Sequence, residues 1–291
     1  MTRGRRVTLI TGCNMPSADT ESSLLVEALA SLGVDSEIVA WSDERDWSTE
    51  RLIVLRTPWD YTDRLTRFLE WITHVSSVSQ LQNSAEVVRW NLNKRYLLEL
   101  ARRGVPIVPT EVSVLGDQAE ASRFLKEFGL RHRTNEIIVK PTVGINANGA
   151  RRAAPDDPAL ALHLAAFLTE GDALVQPFVP AIRTTGEISL IFVGSTFTHA
   201  VRKLPKAGDF RVQDNHGGSV RPYGPTALEI ETARAALAVA PVATTYARVD
   251  MVDFYGTPVV MELELIEPEL FLRFSPTATD ALASQLVIAL G

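Results

Sequence analysis

Strand-like and helix-like segments alternate at the start of the chain, and this order restricts the fold more than any other property of the sequence. Residues 7–10 (VTLI) form an apolar run typical of a buried strand, and residues 22–30 have the spacing of an amphipathic helix. Two further strand-like runs follow at 36–41 and 51–55. Strands separated by helical pieces indicate a small parallel α/β unit that ends near residue 85.

The rest of the chain is predicted to be richer in strands. Residues 91–103 have a helical pattern with one apolar face, and 137–141, 173–178, 187–192 and 196–202 have strand patterns. Two more strands, 247–254 and 259–266, flank Tyr255-Gly256-Thr257-Pro258, a sequence suited to a hairpin turn. Further helices are expected at 160–168 and 280–290.

Composition excludes several classes of protein. The 291 residues carry a net charge of -6, so no global positive field would attract nucleic acid or anionic lipid. Cys13 is the single cysteine, which excludes an internal disulfide and a zinc site built from cysteines. The apolar run at 7–10 is too short for an export signal, and no stretch has the length of a membrane span. A cytoplasmic protein is expected.

Common catalytic and nucleotide-binding motifs are absent from the sequence. It contains no GxxxxGK[ST] segment and no GxGxxG after a strand, the two most frequent nucleotide fingerprints. No serine lies in a G-x-S-x-G elbow, and the five histidines lack the spacing of metal ligands. These absences weaken the case for a hydrolase or a dehydrogenase.

Lys140 ends an apolar strand and precedes Pro141 and a loop that contains Gly144 and Gly149. A lysine at a strand end can reach a phosphate group, and a glycine-rich backbone can turn N–H groups toward phosphate oxygens. The alternative is a solvated lysine before an ordinary loop. This segment alone does not decide between the two.

Two carboxylates occur in the segment Met261-Glu262-Leu263-Glu264. The two-residue period of a strand places Glu262 and Glu264 on one face, where they repel each other unless a cation lies between them. Asp250 in the preceding strand would add a third oxygen ligand once the hairpin folds. Oxygen ligands without His or Cys favour Mg²⁺. The alternative is an edge strand with a solvated acidic face.

A basic stretch from Lys203 to Arg211 precedes a turn at Gly217-Gly218. Such a stretch suits a loop that closes over phosphates, and it suits an exposed hairpin equally well.

In their order along the chain, these segments resemble the ATP-grasp superfamily. Its successive motifs match NLNKRYLLELARRGVPIVPT with Lys94, IVKPTVGINANG with Lys140, VQPFV, GEISL with Glu187, FRVQDNHGG with Arg211, and the Asp250 hairpin. The resemblance covers residue 85 onward and implies an α/β (α+β) fold with ATP and Mg²⁺ bound between two domains. We therefore expect domains at 1–88 (N-terminal α/β), 89–179 (central lid) and 180–291 (C-terminal, with the metal hairpin).

The resemblance also implies roles for individual residues. Lys94 and Lys140 would neutralise the α- and β-phosphates, and Arg211 would face the γ-phosphate. The segment ARVDM is similar to one in D-alanine–D-alanine ligases, which implies that Arg248 contacts the acyl-phosphate side of the substrate. The remaining implied nucleotide contacts are Gly144, Gly149, Gln176, Phe178, Val179, Glu187 and Lys203, and the implied metal ligands are Asp250, Glu262 and Glu264.

Some segments depart from the common superfamily pattern. Glu264 stands where the family usually has Asn, so the exact ligand set of the metal is open. The segments ELELIEPELFL, LRTPWDY and LITGCNMPSADTESSLLVEAL resemble a small branch of the superfamily that includes the D-cycloserine-forming ligase. Members of that branch act on O-ureido-D-serine, an intermediate of antibiotic biosynthesis, and close its ring with loss of the carbamoyl group.

Substrate contacts are expected from the N-terminal unit, because ligands of parallel sheets bind at the carboxyl ends of the strands. Arg56, Asp60 and Tyr61 follow the strand at 51–55, and Gly217 and Gly218 complete the predicted set. The alternative is that Trp59 and Tyr61 pack at an interface and that Asp60 caps the next helix.

Two other functions stay open on the same fold. An intermolecular amino-acid or peptide ligase would need a second substrate. A non-catalytic ATP-binding regulator would not need both metal carboxylates, whose presence here favours turnover. In each case we expect a small amino-acid-like ligand as the partner, and a homodimer is left open.

Overall fold

The computed structural model describes residues 6–13, 20–114, 117–169, 171–206, 209, 211 and 217–291. Within these ranges the chain forms three sheets, each covered by helices.

The first sheet is parallel, with the strand order β2-β1-β3-β4, which confirms the predicted parallel α/β unit. Leu25 and Leu29 of α1 pack on the sheet together with Leu282 and Leu286 of the C-terminal helix, so the two ends of the chain share one core. The elements are β1 (Arg6–Thr11), α1 (Thr20–Ser31), β2 (Asp35–Ala40), β3 (Leu52–Thr57), α2 (Leu65–Val78), β4 (Gln80–Gln82) and α9 (Pro276–Leu290).

The second sheet is antiparallel, with the order β5-β8-β6-β7. Its helix α5 begins with a capping box in which Asp117 and Glu120 satisfy free backbone N–H groups, and α5 packs with α6 against the sheet. The elements are β5 (Glu111–Ser113), α5 (Gln118–Arg131), β6 (Ile137–Pro141), β7 (Arg151–Ala153), α6 (Pro158–Phe167) and β8 (Ala173–Pro177).

The third sheet is also antiparallel, with the order β11-β10-β9-β12-β13. Its elements are α7 (Ala181–Thr184), β9 (Glu187–Val193), β10 (Thr196–Leu204), β11 (Ser219–Tyr223), α8 (Ala227–Leu237), β12 (Tyr246–Phe254) and β13 (Thr257–Glu264). The predicted strands are confirmed in all three sheets, whereas the predicted domain boundaries at 88 and 179 stay predictions.

The predicted single helix over 91–103 is wrong. The structure has α3 (Ala85–Leu92) and α4 (Tyr96–Arg102), with a break at 93–95. The Asn93 side chain accepts from the backbone N–H of Arg95 (3.0 Å), and the N–H of Lys94 donates to the Thr142 carbonyl (2.8 Å). An asparagine that bonds the nearby backbone competes with helical hydrogen bonds, so the helix stops there.

Two other boundaries also differ from expectation. The hairpin between β12 and β13 turns on Tyr255 and Gly256, whose φ values of 54° and 84° suit a two-residue turn, and Thr257 already belongs to β13. The last helix begins at Pro276 instead of Asp280, because Ser275 accepts from the N–H of Ala278 and proline suits the first helical position.

β13 is an edge strand, yet its outer edge is covered. The N–H of Val260 donates to the Pro106 carbonyl (2.9 Å), and the Val260 carbonyl accepts from Val108 (3.0 Å). Asn91 donates to the Leu263 carbonyl (2.7 Å) and accepts from the N–H of Leu265 (2.8 Å). The backbone of this strand is therefore satisfied by the segment and helix that precede the second sheet.

None of the helices in the described ranges is both long and apolar enough to cross a membrane.

Candidate active site

A cavity of about 630 Å³ lies between the second and third sheets and reaches the end of the first. Its walls bring together most of the residues predicted from the sequence. The predicted residues that line it are Tyr61, Lys94, Lys140, Gly144, Gln176, Phe178, Val179, Glu187, Lys203, Arg211, Arg248, Asp250, Glu262 and Glu264.

Lys203, Glu187 and Asp250 form a closed ion-pair trio on three neighbouring strands. Lys203 on β10 lies opposite Glu187 on β9, and its Nζ is 2.5 Å from Glu187 Oε1 and 3.3 Å from Asp250 Oδ1. Burial alone would lower the pKa of Lys203, but the two carboxylates outweigh it and raise the pKa above its usual value. Sequence analysis did not predict this trio, because it depends on the register of β9, β10 and β12.

Arg248 links the trio to the metal hairpin. On β12 it precedes Asp250 by two residues, so both side chains share a face, and its Nε lies 3.0 Å from Asp250 Oδ1. Its Nη2 contacts Glu264, the residue opposite it on β13, and Nη1 donates to the Glu269 carbonyl (3.1 Å). Burial raises the pKa of Asp250, but Arg248 and Lys203 outweigh it and hold that pKa at about 2.

Lys94 and Glu262 form a second ion pair, with Nζ 3.1 Å from Oε1. Lys94 also donates to the Gly144 carbonyl (2.5 Å), so the break between α3 and α4 places this ammonium group between the glycine loop and β13. Burial opposes the charge of Lys94, but Glu262 raises its pKa above the usual value.

Lys140, at the end of β6, differs from the other two lysines. No residue in the described ranges forms an ion pair with it. Burial lowers its pKa, and repulsion from Lys94 acts in the same direction. Among the described residues Lys140 therefore has no ion-pair partner within 4 Å, and the attraction of Glu262 from farther away does not offset its burial.

The acidic wall consists of Glu262, Glu264 and Glu267. Burial, with help from Asp250 and Glu262, raises the pKa of Glu264 to about 8 against the opposing effect of Arg248. Burial also raises the pKa of Glu267 to about 7. Burial is the main cause of both shifts, whereas Lys94 and Lys140 lower the pKa of Glu262. A divalent cation beside Glu264 and Glu267 would favour their charged forms.

The acidic wall fits part of a Mg²⁺ site. Among the described residues, no three acidic, histidine or cysteine side chains are grouped closely enough to hold a metal ion by themselves. Asp250 is already engaged by Lys203, Arg248 and Ser189. Glu262 and Glu264 provide oxygen ligands at one face of β13, and Mg²⁺ commonly completes such a set with phosphate oxygens and water.

The opposite end of the cavity is mainly apolar. Gln176 donates to the Thr110 hydroxyl (2.8 Å), which fixes its amide. The guanidinium carbons of Arg152 and Arg183 lie 4.6 and 5.1 Å from the ring centre of Phe178. The apolar side chains at this end are Val108, Ile138, Val179, Ile182 and Met261. A flat aromatic ligand would suit these walls.

Several predicted residues lie at the rim or outside the cavity. Arg211 lines it and pairs with Asp209 (2.8 Å), whereas Gly149 lines a smaller adjoining cavity of about 410 Å³ with Arg211. Gly217 and Gly218 line neither cavity. Asp214, Asn215 and His216, which belong to the predicted basic loop, lie outside the described residues.

Arg56 and Asp60 do not reach the cavity wall. The Arg56 side chain is 1% exposed, lies 3.4 Å from Glu21 and donates to the Pro268 carbonyl (3.3 Å). Asp60 accepts from Trp41 Nε1 (2.7 Å) and from the N–H of Cys13 (3.1 Å). Its side chain also accepts from the Arg64 side chain, but it makes no hydrogen bond to the backbone N–H groups of the following helical turn, so the predicted side-chain cap is not formed.

Tyr61 lines the cavity and donates from its hydroxyl to Glu267 Oε1 (3.0 Å). Trp59 donates from Nε1 to the backbone carbonyl of the same glutamate (3.1 Å). The N-terminal unit thus contributes one wall of the cavity through two aromatic residues that hold Glu267.

Comparisons with known proteins agree with this geometry. Residues 7–83 match the family model described as D-cycloserine synthetase DcsG, N-terminal domain, and 106–249 match prokaryotic glutathione synthetase, ATP-grasp domain. The chain is 33% identical to cycloserine biosynthesis protein DcsG of Streptomyces lavendulae over 283 residues, 92% of this chain and 93% of that protein. The chain belongs to the DcsG family of ATP-grasp ligases.

Solved structures of DcsG and other ATP-grasp ligases share the fold. The crystal structure of D-cycloserine synthetase DcsG superposes with a TM-score of 0.90 at 30% identity, covering 98% of this chain and all of that one. D-alanine–D-alanine ligase from Bacillus anthracis, complexed with ATP, has a TM-score of 0.69 at 14% identity and covers 99% of this chain and 97% of that one, which shows a common fold.

Membership of the DcsG family confirms three predictions: the recognised family, the ATP-grasp fold and an ATP-dependent ligase. The alternative of a non-catalytic regulator is therefore not retained. The roles of individual residues stay predictions.

Sequence analysis missed Glu267, Glu269 and Glu21 as lining residues of the DcsG-family cavity. The segment Leu265-Ile266-Glu267-Pro268-Glu269 was noted only as a departure from the superfamily pattern. Two acids among apolar residues directly after the metal strand are a signal that could have identified the extended acidic wall.

Proposed function

We propose that this DcsG-family ligase closes O-ureido-D-serine to D-cycloserine, with loss of the carbamoyl group, through an acyl phosphate. The observation that carries the proposal is the continuity of the cavity. One space joins Lys94 and Lys140 to the wall made by Trp59, Tyr61 and Glu267. A nucleotide and a small amino acid could therefore bind side by side in one cavity, with the phosphate transferred directly between them.

The adenine of the nucleotide would lie at the apolar end of the cavity, and its phosphates would contact Lys94 and Lys140. Lys140 lacks an anion among the described residues, so a phosphate oxygen would supply one. Lys94 would contribute a second ammonium group beside the loop that contains Gly144. Phe178 and Val179 would border adenine, and Glu187 would accept from the ribose hydroxyls while Lys203 holds it in place.

Glu262 and Glu264 would hold Mg²⁺, and Asp250 would complete the site if its partners shift toward the nucleotide. Mg²⁺ would offset the negative charge of the phosphates during transfer. Among the residues that the structure describes, seven carboxylates and five cationic side chains line the cavity, so a bound triphosphate would need a further cation. Glu264 in place of the usual Asn adds one negative charge to this balance.

The reaction would proceed in two displacements and a hydrolysis. A carboxylate oxygen of the substrate attacks the γ-phosphorus, and ADP leaves. The oxygen-bound ureido nitrogen of the same molecule then gives up its proton and attacks the activated carbonyl, and phosphate leaves. Water finally adds to the carbamoyl carbon and breaks its bond to the ring nitrogen, so that the carbamoyl group leaves as carbamate, which decomposes to CO2 and ammonia. Arg248, buried and held by Asp250, is placed to donate to the oxygen that becomes negative in the second displacement. Ring closure benefits from the high effective concentration of an internal nucleophile.

The test is ADP and phosphate release with ATP, Mg²⁺ and O-ureido-D-serine as the sole organic substrate. We expect equal amounts of ADP, phosphate and cyclic product. A Glu262→Gln variant, run in parallel, shows whether the ADP comes from this site. Strict dependence on an added amino acid would contradict ring closure and indicate an intermolecular ligase on the same fold.

A further inference from the structure

The charged side chains that line the cavity are paired with two exceptions. Glu187 and Asp250 pair with Lys203, Glu262 with Lys94, and Glu264 with Arg248. Glu21 pairs with Arg56, Glu269 with Arg273, and Arg211 with Asp209. Among the described residues, Lys140 and Glu267 have no ion-pair partner. The proposed function gives Lys140 a phosphate, but it gives Glu267 no ligand.

Glu267 is held firmly in spite of its missing cation. Tyr61 donates its hydroxyl to one carboxylate oxygen (3.0 Å), and Trp59 donates to the backbone carbonyl (3.1 Å). Pro268, the next residue, restricts the backbone further, and its carbonyl accepts from buried Arg56 (3.3 Å). The carboxylate is thus fixed at the end of the cavity that the N-terminal unit closes.

Such a carboxylate is costly in the empty protein. Burial raises its pKa to about 7 and Glu262 repels it, and the opposing effects of the Tyr61 hydroxyl, Lys94 and Arg248 are too small to restore the usual value. Buried charges are normally paired, because the loss of hydration is compensated only by an opposite charge or by several hydrogen bonds. One neutral hydroxyl donor leaves most of this carboxylate's acceptor capacity unused.

We propose that Glu267 is the specificity-determining residue that binds the ammonium group of an α-amino acid substrate, with Tyr61 as its positioning residue. This inference rests on the proposed function, which puts the substrate carboxyl group near Arg248. Arg248 contacts Glu264 and the Glu269 carbonyl, on either side of Glu267 in the chain. An α-amino acid carries its ammonium group next to its carboxylate, so its carboxylate can contact Arg248 while its ammonium group contacts Glu267.

The experiment removes either the amino group from the ligand or the Glu267 carboxylate from the protein, and it measures the change in binding affinity. Calorimetry with a non-hydrolysable ATP analogue and Mg²⁺ compares O-ureido-D-serine with 3-(ureidooxy)propanoate, which differs by the missing amino group. We expect the wild-type protein to bind the amino compound roughly 10- to 150-fold more tightly, the range for hydrogen bonds to charged groups. Glu267→Gln should lose most of that preference, while its affinity for the analogue that lacks the amino group stays within about threefold of wild type.

Two further variants separate recognition from folding. Glu269→Gln is the matched control, since Glu269 lies in the same segment and cavity but already pairs with Arg273. It should keep the preference for the ammonium group. Tyr61→Phe keeps the ring and removes the hydroxyl that orients Glu267, so its preference should fall between those of wild type and Glu267→Gln.

The inference is overturned if wild type shows no preference for the amino compound, or if Glu267→Gln weakens both compounds equally. The second result would assign Glu267 to catalysis or structure. D-Serine and 3-hydroxypropanoate form a second pair that does not depend on ring closure. An ammonium preference that disappears in Glu267→Gln with this pair supports the inference, even if the ureido compound yields no ADP and the proposed function fails.

Discussion

Charged side chains are paired with one another inside the third sheet, whereas two charged side chains that line the cavity have no ion-pair partner among the described residues. On β9, β10 and β12, Lys203 is enclosed by Glu187 and Asp250 and has a raised pKa. At the rim, Lys140 has a lowered pKa and lacks an anion among the described residues, and Glu267 likewise lacks a cation. Lys203 is buried and Lys140 half-buried, and loss of hydration lowers the pKa of each; only Lys203 has two carboxylates close enough to reverse that effect.

We infer that the paired charges stabilise the fold and that the unpaired charges bind ligands. A matched trio inside a sheet holds its strands in register, so the loss of one member destabilises the fold. An unmatched buried charge is costly to fold, and a ligand of opposite sign recovers that free energy on binding. Loss of Lys203 should therefore lower stability most, whereas loss of Lys140 or Glu267 should lower ligand affinity most.

The largest effect is expected from Lys203→Met. This change leaves Glu187 and Asp250 buried with one cation fewer, and breaking a buried pair in this way costs about 3–5 kcal/mol. Urea unfolding followed by circular dichroism measures the loss. Lys140→Met is the matched control and should change the free energy of unfolding by less than about 1 kcal/mol, because no ion pair is broken. Equal losses in the two variants would remove the distinction.

Glu262→Gln should have the next largest effect, chiefly in activity, although it also removes the ion-pair partner of Lys94. Glutamine keeps the shape of the side chain but lacks the charge needed beside Mg²⁺, so turnover should fall by roughly 10²- to 10³-fold. Steady-state ADP release measures it. Asp253→Asn, an exposed change on the same hairpin outside the cavity, should retain wild-type turnover. Near-normal rates for Glu262→Gln would show that Glu262 is an ordinary surface carboxylate.

Lys140→Ala should weaken ATP binding by roughly 10- to 150-fold, the worth of one charge-assisted hydrogen bond of about 1.5–3 kcal/mol. Calorimetric titration with a non-hydrolysable ATP analogue measures it, and binding of the amino acid substrate should change far less. Lys126→Ala, on the exposed side of α5, is the control and should bind nucleotide like wild type. Unchanged affinity in Lys140→Ala would contradict its place at the phosphates.

The smallest effect concerns pH. Because burial raises the pKa of Glu267 from 4.5 to about 7, the folded protein binds its proton more tightly than the unfolded chain does. The free energy of unfolding should therefore fall as pH rises from about 4.5 to 7. In Glu267→Gln this fall should shrink by an amount on the order of 1 kcal/mol. Unfolding curves at pH 5 and pH 7.5, without metal or nucleotide, give the comparison; an unchanged fall would mean that Glu267 is solvated.

Features that depend on residues close together in the sequence could be predicted, whereas features that depend on contacts between distant segments could not. The common face of Glu262 and Glu264 is a local property of strand period, and the register of β12 and β13 then placed Asp250 opposite Glu262 as expected. The break beside Lys94 has a local cause in Asn93 and a distant one in Thr142, almost 50 residues later, and no local pattern could show the second. The trio around Lys203 needs the register of three strands, and Glu267 follows a strand in irregular backbone that has no period to extrapolate.

The covered edge of β13 bears on solubility. β13 lies at the edge of the third sheet, and a bare edge invites pairing with strands of other molecules. Here Pro106, Val108 and Asn91 occupy backbone groups along that edge, so a neighbouring chain finds few free hydrogen-bonding groups there. The side chains on one face of β13 remain accessible to ligands, while its hydrogen-bonding edge is protected against pairing with other chains.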